Sequence, residues 1–185
     1  MKRRADTDER HAILVRTTAG MVGLSFSGKG ITGIDLPQTG RGRGTAKSGG
    51  TAAPGRVPSL GRKAAVLLRR YFSGRRVSFA LPLDLREATD FQRAVWKAAA
   101  KIPYGETRSY GWIAKKIGRP KAARAVGQAL GDNPVPIIVA CHRVIGSSGG
   151  LGGFSGGLPM KRYLLGLEAR KSSCSGVRHG KRTDR

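Results

Sequence analysis

Two turn signals divide the second half of the chain into short helices, and this division constrains the fold more than any other feature. Apolar residues recur at helical spacing from residue 91 to residue 131, interrupted at Pro103–Gly105 and at Gly118–Pro120. We predict one helix capped at Thr89-Asp90, a second capped by Ser109, and a third with Pro120 in its first turn. The second and third helices, joined by a tight turn that contains glycine, predict a helix-turn-helix unit.

The first half predicts a small sheet followed by a helix. Residues 11–36 contain three strand-like runs, AILVRT, MVGLSFS and ITGIDL, separated by the turn signals of an antiparallel meander. A helix is predicted over residues 60–72 and a strand that returns to the sheet over residues 77–83. The segment 37–56 is rich in Gly, Arg, Ser and Thr, so it is predicted to be a flexible linker.

The predicted organisation is two small domains between basic ends. Residues 11–86 form an N-terminal α/β domain without obvious chemistry, interpreted as a scaffold. Residues 87–169 form a mostly helical C-terminal domain, and residues 1–10 and 170–185 are predicted to be disordered basic tails. The fold class is α/β in the α+β sense, with an antiparallel sheet followed by helices.

The charge of the chain predicts a polyanionic partner. There are 35 Lys and Arg residues against 11 Asp and Glu residues, a formal net charge of +24. The excess is not confined to the ends, because residues 91–168 carry 12 basic residues against Glu106, Asp132 and Glu168. Such a basic fold favours nucleic acid, whose phosphates release condensed counterions when basic side chains neutralise them.

The two cysteines, Cys141 and Cys174, are too few for a disulfide framework or a cysteine-rich zinc site. No apolar run follows Met1, and the longest one, residues 135–140, is too short to span a bilayer. We therefore expect a soluble intracellular protein with reduced thiols, without a metal, a cofactor or a membrane partner. The expected location is the cytoplasm beside the nucleoid, or the nucleus in a eukaryote.

The third predicted helix has one face with almost no side chains. Small residues stand four apart there, flanked by long polar ones: Ala123, Gly127 and Gly131 beside Lys121, Arg124 and Gln128. A smooth stripe beside a long arginine suits close approach to a narrow DNA groove or to the sugar-phosphate backbone. It suits equally well the tight packing of this helix against another part of the protein. The residues alone leave both interpretations open.

A cysteine followed by basic residues is the main candidate for catalysis. A β-branched run leads into Cys141-His142-Arg143, and a glycine-rich loop, residues 146–157, follows. Either basic neighbour could favour the thiolate and make Cys141 a nucleophile. An inert thiol on a buried strand is the alternative, since neighbours on a strand point to opposite faces.

The helix predicted to begin at Pro159 offers one further candidate. It places Lys161, Leu165 and Glu168 on one face. Glu168 could orient a histidine, as the third group does in nucleophile–base arrangements. The residues alone favour an ordinary solvated charge near a helix end.

Three consecutive runs of the second half resemble the O6-alkylguanine-DNA alkyltransferases, also called methylated-DNA–protein-cysteine methyltransferases. They are IPYGETRSYGWIAKKIG, RPKAARAVGQALGDNPVPIIV and CHRVIGSSGGLGGFSGGLPMKRYLLGLE. The resemblance extends without gaps from about Phe91 to Glu168, and the combination RAVG…NP…CHRV is highly specific. It implies a ribonuclease H-like N-terminal domain, a winged helix-turn-helix-like C-terminal domain and a monomer. It also implies direct-reversal repair, in which the alkyl group of O6-alkylguanine in duplex DNA moves irreversibly to a cysteine. Activity on O4-alkylthymine is left open.

The resemblance assigns the catalytic roles by position. Cys141 is the alkyl acceptor, His142 takes the thiol proton through a water, and Glu168 polarises that histidine. Asn133 buttresses the active-site turn. Tyr110 hydrogen-bonds guanine N3 and donates a proton to the leaving base.

The resemblance also assigns a DNA surface and a substrate pocket. Arg124 enters the base stack from the minor groove and fills the place of the flipped nucleotide. The surface around it consists of Ala123, Gly127, Lys121, Gln128 and Gly131. The pocket consists of Val144, Phe154, Ser155, Gly156, Lys161 and Pro136, and the backbone at Cys141 and Val144 accepts from the guanine amine.

Two residues depart from the family pattern. Ala140 stands where the family usually has proline, which frees a backbone N–H and loosens φ before the cysteine. Phe154 stands where many members have tyrosine. The second cysteine, Cys174, is interpreted as having no part in the chemistry.

Three rival functions are a non-catalytic alkyltransferase-like protein that binds DNA lesions, a helix-turn-helix regulator, and a cysteine hydrolase. The presence of Cys141 counts against the first, and the smooth helix face against the second.

Overall fold

An antiparallel sheet of three strands forms the first part of the fold. The computed structural model describes residues 11–37 and 58–172, apart from the side chains of residues 171 and 172. Strands β1 (His11–Thr17), β2 (Gly20–Phe26) and β3 (Ile31–Asp35) lie in that order. Val15 pairs with Val22 and Leu24 with Ile34, so their apolar side chains share the buried face. The predicted meander is confirmed.

Helix α1 (Ser59–Phe72) packs on β1 through its apolar face. Ala64, Leu68 and Tyr71 on that face are almost completely buried, as the helical spacing predicts. The Thr18 hydroxyl in the first hairpin donates to the carbonyl of Phe72 at 2.7 Å and so ties the turn to the end of the helix. The predicted helix over 60–72 is confirmed.

The predicted strand over residues 77–83 is wrong. Only Leu83 meets the sheet, through an isolated parallel bridge to Ile31 at the edge of β3. The N–H of Ile31 donates to the carbonyl of Pro82 at 2.9 Å, and the N–H of Asp84 donates back to Ile31 at 2.9 Å. Pro82 has no N–H to extend this pairing, so the alternating apolar residues of this segment pack without forming a ladder.

Four further helices follow, and local caps define two of them. Helix α2 (Asp90–Ala100) begins with a capping box between Thr89 and Gln92, and Ser109 caps α3 (Tyr110–Lys116) by accepting from the N–H of Trp112 at 3.0 Å. Both starts match the prediction. Helices α4 (Ala123–Gly131) and α5 (Leu158–Ser172) complete the set, and α5 includes residues 170–172 of the predicted tail.

Helix α4 begins later than Pro120, contrary to prediction. A turn closed by the N–H of Ala122 and the carbonyl of Arg119, at 2.9 Å, separates Pro120 from the helix. Lys121 therefore lies in this turn and not on α4. Gly118, with φ of 73°, ends α3 as predicted, because that backbone conformation favours glycine.

Contacts from both parts of the chain place the segment around Cys141. The N–H of Ile34 in β3 donates to the carbonyl of Pro134 at 2.8 Å. A short parallel pair, β4 (Arg108–Ser109) with β5 (Val144–Ile145), holds the segment from the other side.

The architecture is α+β, as predicted. The finer ribonuclease H-like and winged-helix descriptions and the domain bounds stay predictions. Residues 1–10, 38–57 and 173–185 lie outside the described residues, as do most of the predicted linker, nearly all of the predicted tails, and Cys174.

Candidate active site

Cys141 begins a 3₁₀ helix, Cys141–Arg143, and does not lie on a strand. The β-branched run before it forms turns, with an isolated bridge between Pro136 and Val139 and a positive φ of 76° at Ile137. A positive φ is costly for a β-branched residue, so the surrounding contacts must hold this turn. The alternative of an inert thiol on a buried strand therefore fails in its geometry.

Asn133 holds the turn and the thiol together. Its Nδ2 donates to the carbonyl of Val139 at 3.2 Å and lies 3.1 Å from Cys141 Sγ, while its Oδ1 accepts from the N–H of Val135 at 3.1 Å. Asn133 is 5% exposed. One amide side chain thus bridges three points of the turn.

The thiol of Cys141 is buried, and its neighbours partly offset the cost of ionising it. Burial raises the pKa of Cys141, whereas the Asn133 hydrogen bond and the positive charge of Lys161 lower it, as do the backbone N–H groups of Cys141 and His142. Burial is the largest of these effects. Loss of the thiol proton therefore needs a base close to the site.

His142 and Glu168 form a buried pair directly behind the cysteine. His142 Nε2 lies 2.8 Å from Glu168 Oε1, and the two residues are 0% and 1% exposed. Burial lowers the pKa of His142 more than Glu168 raises it, so the imidazole is neutral and donates its Nε2 proton to the carboxylate. The interpretation of Glu168 as a solvated charge is wrong, because a helix position cannot show what faces it across the fold.

Arg143 faces Glu168. Its Nε and Nη2 lie 2.9 Å from the two carboxylate oxygens, and its Nη1 donates to the carbonyl of Ile102 at 2.6 Å. The guanidinium also lies over the ring of Tyr104, 5.6 Å from its centroid. The cation that lowers the pKa of the thiol is Lys161, 20 residues further along the chain.

Sequence reasoning missed Tyr71. Its hydroxyl donates to Glu168 Oε1 at 2.6 Å and lies 3.2 Å from His142 Nε2, although the residue belongs to α1 in the predicted scaffold. Nothing in the sequence distinguishes this tyrosine from an ordinary core residue of an amphipathic helix. The partners lie 71 and 97 residues away.

Lys161 ties the glycine-rich loop to β5. The ammonium donates to the carbonyls of Val144 at 2.6 Å, of Leu151, and of Gly153 at 3.3 Å, and the residue is 0% exposed. Three donors for three carbonyls satisfy the buried ammonium completely. The carbonyl of Val144, expected to accept from a guanine amine, already accepts from Lys161.

Tyr110 lies between the glycine-rich loop and α4. A Cβ at Gly152 would come within 2.5 Å of its hydroxyl, and one at Gly127 would contact its ring at 3.7 Å. Gly152 also has a φ of 64°, so glycine is required there for two reasons. Burial and the neighbouring Cys141 raise the pKa of Tyr110, so its hydroxyl keeps a proton to donate.

The remaining pocket residues fall around this loop. The ring of Phe154 packs over Gly156, where a Cβ would lie 2.9 Å from it and 3.2 Å from Leu36. Pro136 is buried in the turn before Cys141, and Ser155 is exposed at the loop surface. The structure thus places Phe154 and Gly156 together and leaves Ser155 facing outward.

The DNA-surface residues lie on and just before α4. Lys121, Arg124 and Gln128 are exposed, and so is Gly131, which has open space where a Cβ would be. Ala123 and Gly127 are half-buried. Each interpretation of the stripe therefore fits one of its glycines. Gly127 packs against Tyr110 inside the protein, whereas the exposed backbone of Gly131 leaves room for close approach by another molecule.

Ala140 adopts a backbone conformation that proline also adopts. Its φ is −77°, and the N–H of Cys141 closes a turn around it by donating to the carbonyl of Val139 at 2.8 Å. The expected loosening of φ is therefore not seen in the folded chain. The difference from proline lies in the freedom of the unfolded chain.

Replacing Ala140 by proline is expected to raise the free energy of unfolding by about 0.4–1 kcal/mol, because the unfolded chain loses conformations that the folded chain does not use. Ala140→Gly should change it in the opposite direction. Urea unfolding of the three proteins measures both effects. A proline variant that unfolds at lower urea than the wild type would show that the ring collides with its buried surroundings.

Within the described ranges, no group of three or more His, Cys, Asp and Glu side chains is placed to hold a metal ion. In the same part of the chain, no helix is long and apolar enough to cross a membrane.

Sequence comparison matches the second half to one family. The family described as 6-O-methylguanine DNA methyltransferase, DNA binding domain, matches residues 90–170. The methylated-DNA–protein-cysteine methyltransferase of Mycolicibacterium paratuberculosis is 58% identical over 108 residues, which cover 58% of this chain and 65% of that relative. The protein of the same name from Methanosarcina barkeri is 57% identical over 107 residues, covering 58% and 67%. The match thus spans about two thirds of each relative, slightly less in the first.

Solved structures extend the likeness to the first half. The crystal structure of Mycobacterium tuberculosis OGT in complex with DNA is 46% identical with a TM-score of 0.73, and covers 86% of this chain and 93% of that one. The Mycobacterium tuberculosis O6-methylguanine methyltransferase is 44% identical with a TM-score of 0.74, covering 88% and 94%. With the Cys141, His142 and Glu168 geometry in place and a common fold over nearly the whole length, this chain belongs to the methylated-DNA–protein-cysteine methyltransferase family.

Proposed function

We propose that this protein repairs O6-alkylguanine in duplex DNA by transferring the alkyl group to Sγ of Cys141, once per molecule. The observation that carries the proposal is the buried His142–Glu168 pair behind a thiol held by Asn133. The similar protein whose structure was solved in complex with DNA, Mycobacterium tuberculosis OGT, supports DNA as the partner. We also propose that the protein acts as a monomer, in the cytoplasm at the nucleoid or, in a eukaryote, in the nucleus.

His142 is the base in this proposal. Because its Nε2 proton is donated to Glu168, the neutral ring carries its lone pair on Nδ1. Nδ1 is buried, and no protein group in the described part of the chain hydrogen-bonds to it. It is therefore available to take the proton of Cys141 Sγ through a water, and Glu168 stabilises the imidazolium that forms.

The transfer is a displacement at saturated carbon. The Cys141 thiolate forms a bond to the alkyl carbon, the bond from that carbon to guanine O6 breaks, and its electron pair stays on the base. The Tyr110 hydroxyl supplies a proton to the leaving guanine. The product is a thioether, which has no ready route back to the thiol, so each molecule reacts once.

The surface formed by α3, the following turn and α4 is the proposed DNA interface. Five cations stand exposed within ten residues there: Lys115, Lys116, Arg119, Lys121 and Arg124. They suit phosphate contacts, whereas the small residues of α4 offer few side chains to read bases. Repair of lesions in any DNA sequence requires a protein that makes few base-specific contacts. A base in the stack cannot reach a buried thiol, so the nucleotide must flip, and in this proposal the exposed Arg124 fills the gap.

Arg124→Ala is expected to slow repair of a duplex by about tenfold or more, while changing the reaction with free O6-benzylguanine less than about twofold. Only the duplex requires flipping. Lys116→Ala is the matched control, because it removes one exposed cation from the same surface. The control should mainly lower the salt dependence of binding, by about one counterion. Equal losses on both substrates, or equal losses in both variants, would mean that Arg124 does not assist flipping.

Intact-protein mass spectrometry tests the proposed function. The protein is mixed with a duplex that contains one O6-methylguanine, and the modified peptide is then mapped. A gain of one methylene on Cys141 that stops at one equivalent is expected. Tight binding without a mass change would contradict transfer and favour a non-catalytic lesion-binding protein. A parallel duplex with O4-methylthymine shows whether that base is accepted.

A further inference from the structure

Tyr71 reaches the catalytic pair from the first half of the chain. It lies near the end of α1, is 1% exposed, and its ring is surrounded by Phe72, Phe79 and Tyr104 at centroid distances of 5.5–6.2 Å. Its hydroxyl lies 2.6 Å from Glu168 Oε1 and 3.2 Å from His142 Nε2. A core tyrosine needs one hydrogen-bond partner. This one is placed between the two groups that make the base.

The direction of the tyrosine proton follows from its surroundings. Burial and the Glu168 charge raise the pKa of Tyr71 far above its ordinary value, so the hydroxyl stays protonated and donates to the carboxylate. The oxygen then has only lone pairs left for His142. Nε2 therefore faces two acceptors, Tyr71 Oη and Glu168 Oε1, and the tautomer with a proton on Nε2 is the one that satisfies both.

We propose that Tyr71 is a positioning residue for alkyl transfer, which holds the Glu168 carboxylate and the Nε2–H tautomer of His142 so that Nδ1 is left as the base. The proposal rests on the proposed function only in that the base serves Cys141. It makes the helix α1 part of the catalytic apparatus, so the predicted scaffold contributes to the chemistry. The Tyr71 hydroxyl contacts His142 and Glu168, and Tyr71 acts through these two residues.

The effect on pH follows from the groups that face His142. The groups that act on His142 are Tyr71 of α1, Arg143 of the 3₁₀ helix, and Lys161 and Glu168 of α5, with Cys141 next to it in the chain. Tyr104, of the loop before β4, acts on Glu168 and packs against Tyr71. Tyr71 is a donor that offsets the Glu168 charge. Without its hydroxyl, that charge favours protonated His142 more strongly, so the base is lost at a higher pH.

Tyr71→Phe with the matched control Tyr104→Phe tests this. Both changes remove a hydroxyl and keep the ring, but the hydroxyl of the half-buried Tyr104 donates to backbone carbonyls, of Gly74 at 3.4 Å and Leu167 at 3.5 Å. The rate of Cys141 alkylation by O6-benzylguanine is measured against pH. In Tyr71→Phe the acid limb should move to higher pH, with a rate on that limb lowered roughly tenfold, and the plateau should change less. Tyr104→Phe should follow the wild-type profile.

Imidazole ¹⁵N NMR gives a readout that does not depend on alkyl transfer. The chain has three histidines, so the His142 signals are assigned by replacing His11 and His179. The wild type should show Nε2 protonated and Nδ1 unprotonated, and Tyr71→Phe should shift both signals. The opposite tautomer in the wild type, an acid limb unmoved in Tyr71→Phe, or an equal shift in Tyr104→Phe would each overturn the proposal. Absence of alkylation in the wild type with the expected tautomer would instead contradict the proposed function alone.

Discussion

Replacing Cys141 with alanine is expected to abolish alkyl transfer while leaving DNA binding within about twofold of the wild type. Removal of a nucleophile typically lowers a rate by at least about 10³-fold, and no second thiol stands in the described site to replace it. The proposed DNA surface lies on α3 and α4, so binding should not depend on the thiol. Single-turnover mass spectrometry measures transfer, and a salt-matched binding titration with lesion-containing duplex measures affinity.

Two further variants separate the chemistry of Cys141 from its packing. Cys141→Ser keeps a polar group for Asn133 to contact but supplies a hydroxyl that hardly ionises, so it should be as inactive as the alanine variant. Cys174→Ala should transfer normally. Alkyl transfer retained in Cys141→Ala would contradict the mechanism. Loss of alkyl transfer in Cys174→Ala would show that the second cysteine takes part.

The elements that sequence reasoning placed well are those whose boundaries depend on neighbouring residues. Thr89 and Ser109 cap their helices through groups three positions away, so the signal and its partner lie in the same short window. The start of α4 was placed wrongly because Pro120 fits a turn as well as a first helical residue. The strand over 77–83 failed because pairing also needs a donor, which Pro82 lacks, at an edge that local sequence does not show.

The candidate site also depends on contacts between residues that are far apart in the sequence. The residues alone leave Cys141 open between a nucleophile and an inert thiol, because the group that contacts the neighbouring His142 lies 26 residues further along the chain. The family resemblance supplied Glu168, because a motif carries information on distant contacts that periodicity lacks. Neither source supplied Tyr71, which lies outside the matched segment 91–168. Long-range polar contacts within a core are invisible to patterns that only count apolar spacing.

Replacing Glu168 by alanine is expected to lower the free energy of unfolding by about 3–5 kcal/mol, because it leaves the Arg143 charge buried without its partner. The carboxylate accepts from His142, from Tyr71, from Nε and Nη2 of Arg143, and from the N–H of Gly105 at 3.0 Å. Transfer should also fall to background. Glu168→Gln is the matched variant, since it keeps the shape and some hydrogen bonds but not the charge. It should lose less stability than alanine, as measured by urea unfolding.

The same site predicts how stability depends on pH. Hydrogen bonds from His142 and Arg143 hold the pKa of Glu168 below its ordinary value, so its stabilisation is present above about pH 4.3 and is lost as the pH falls further. Burial lowers the pKa of His142, so below about pH 6.5 the unfolded chain binds a proton that the folded chain resists, and stability falls there too. Unfolding free energies of the wild type and of Glu168→Gln, measured from pH 7.5 to about pH 3, should therefore decline in both as His142 is titrated. Only the wild type should show the further loss due to Glu168, because Glu168→Gln has no carboxyl to protonate. Parallel curves below about pH 4.3 would mean that the carboxylate is not held as the geometry indicates.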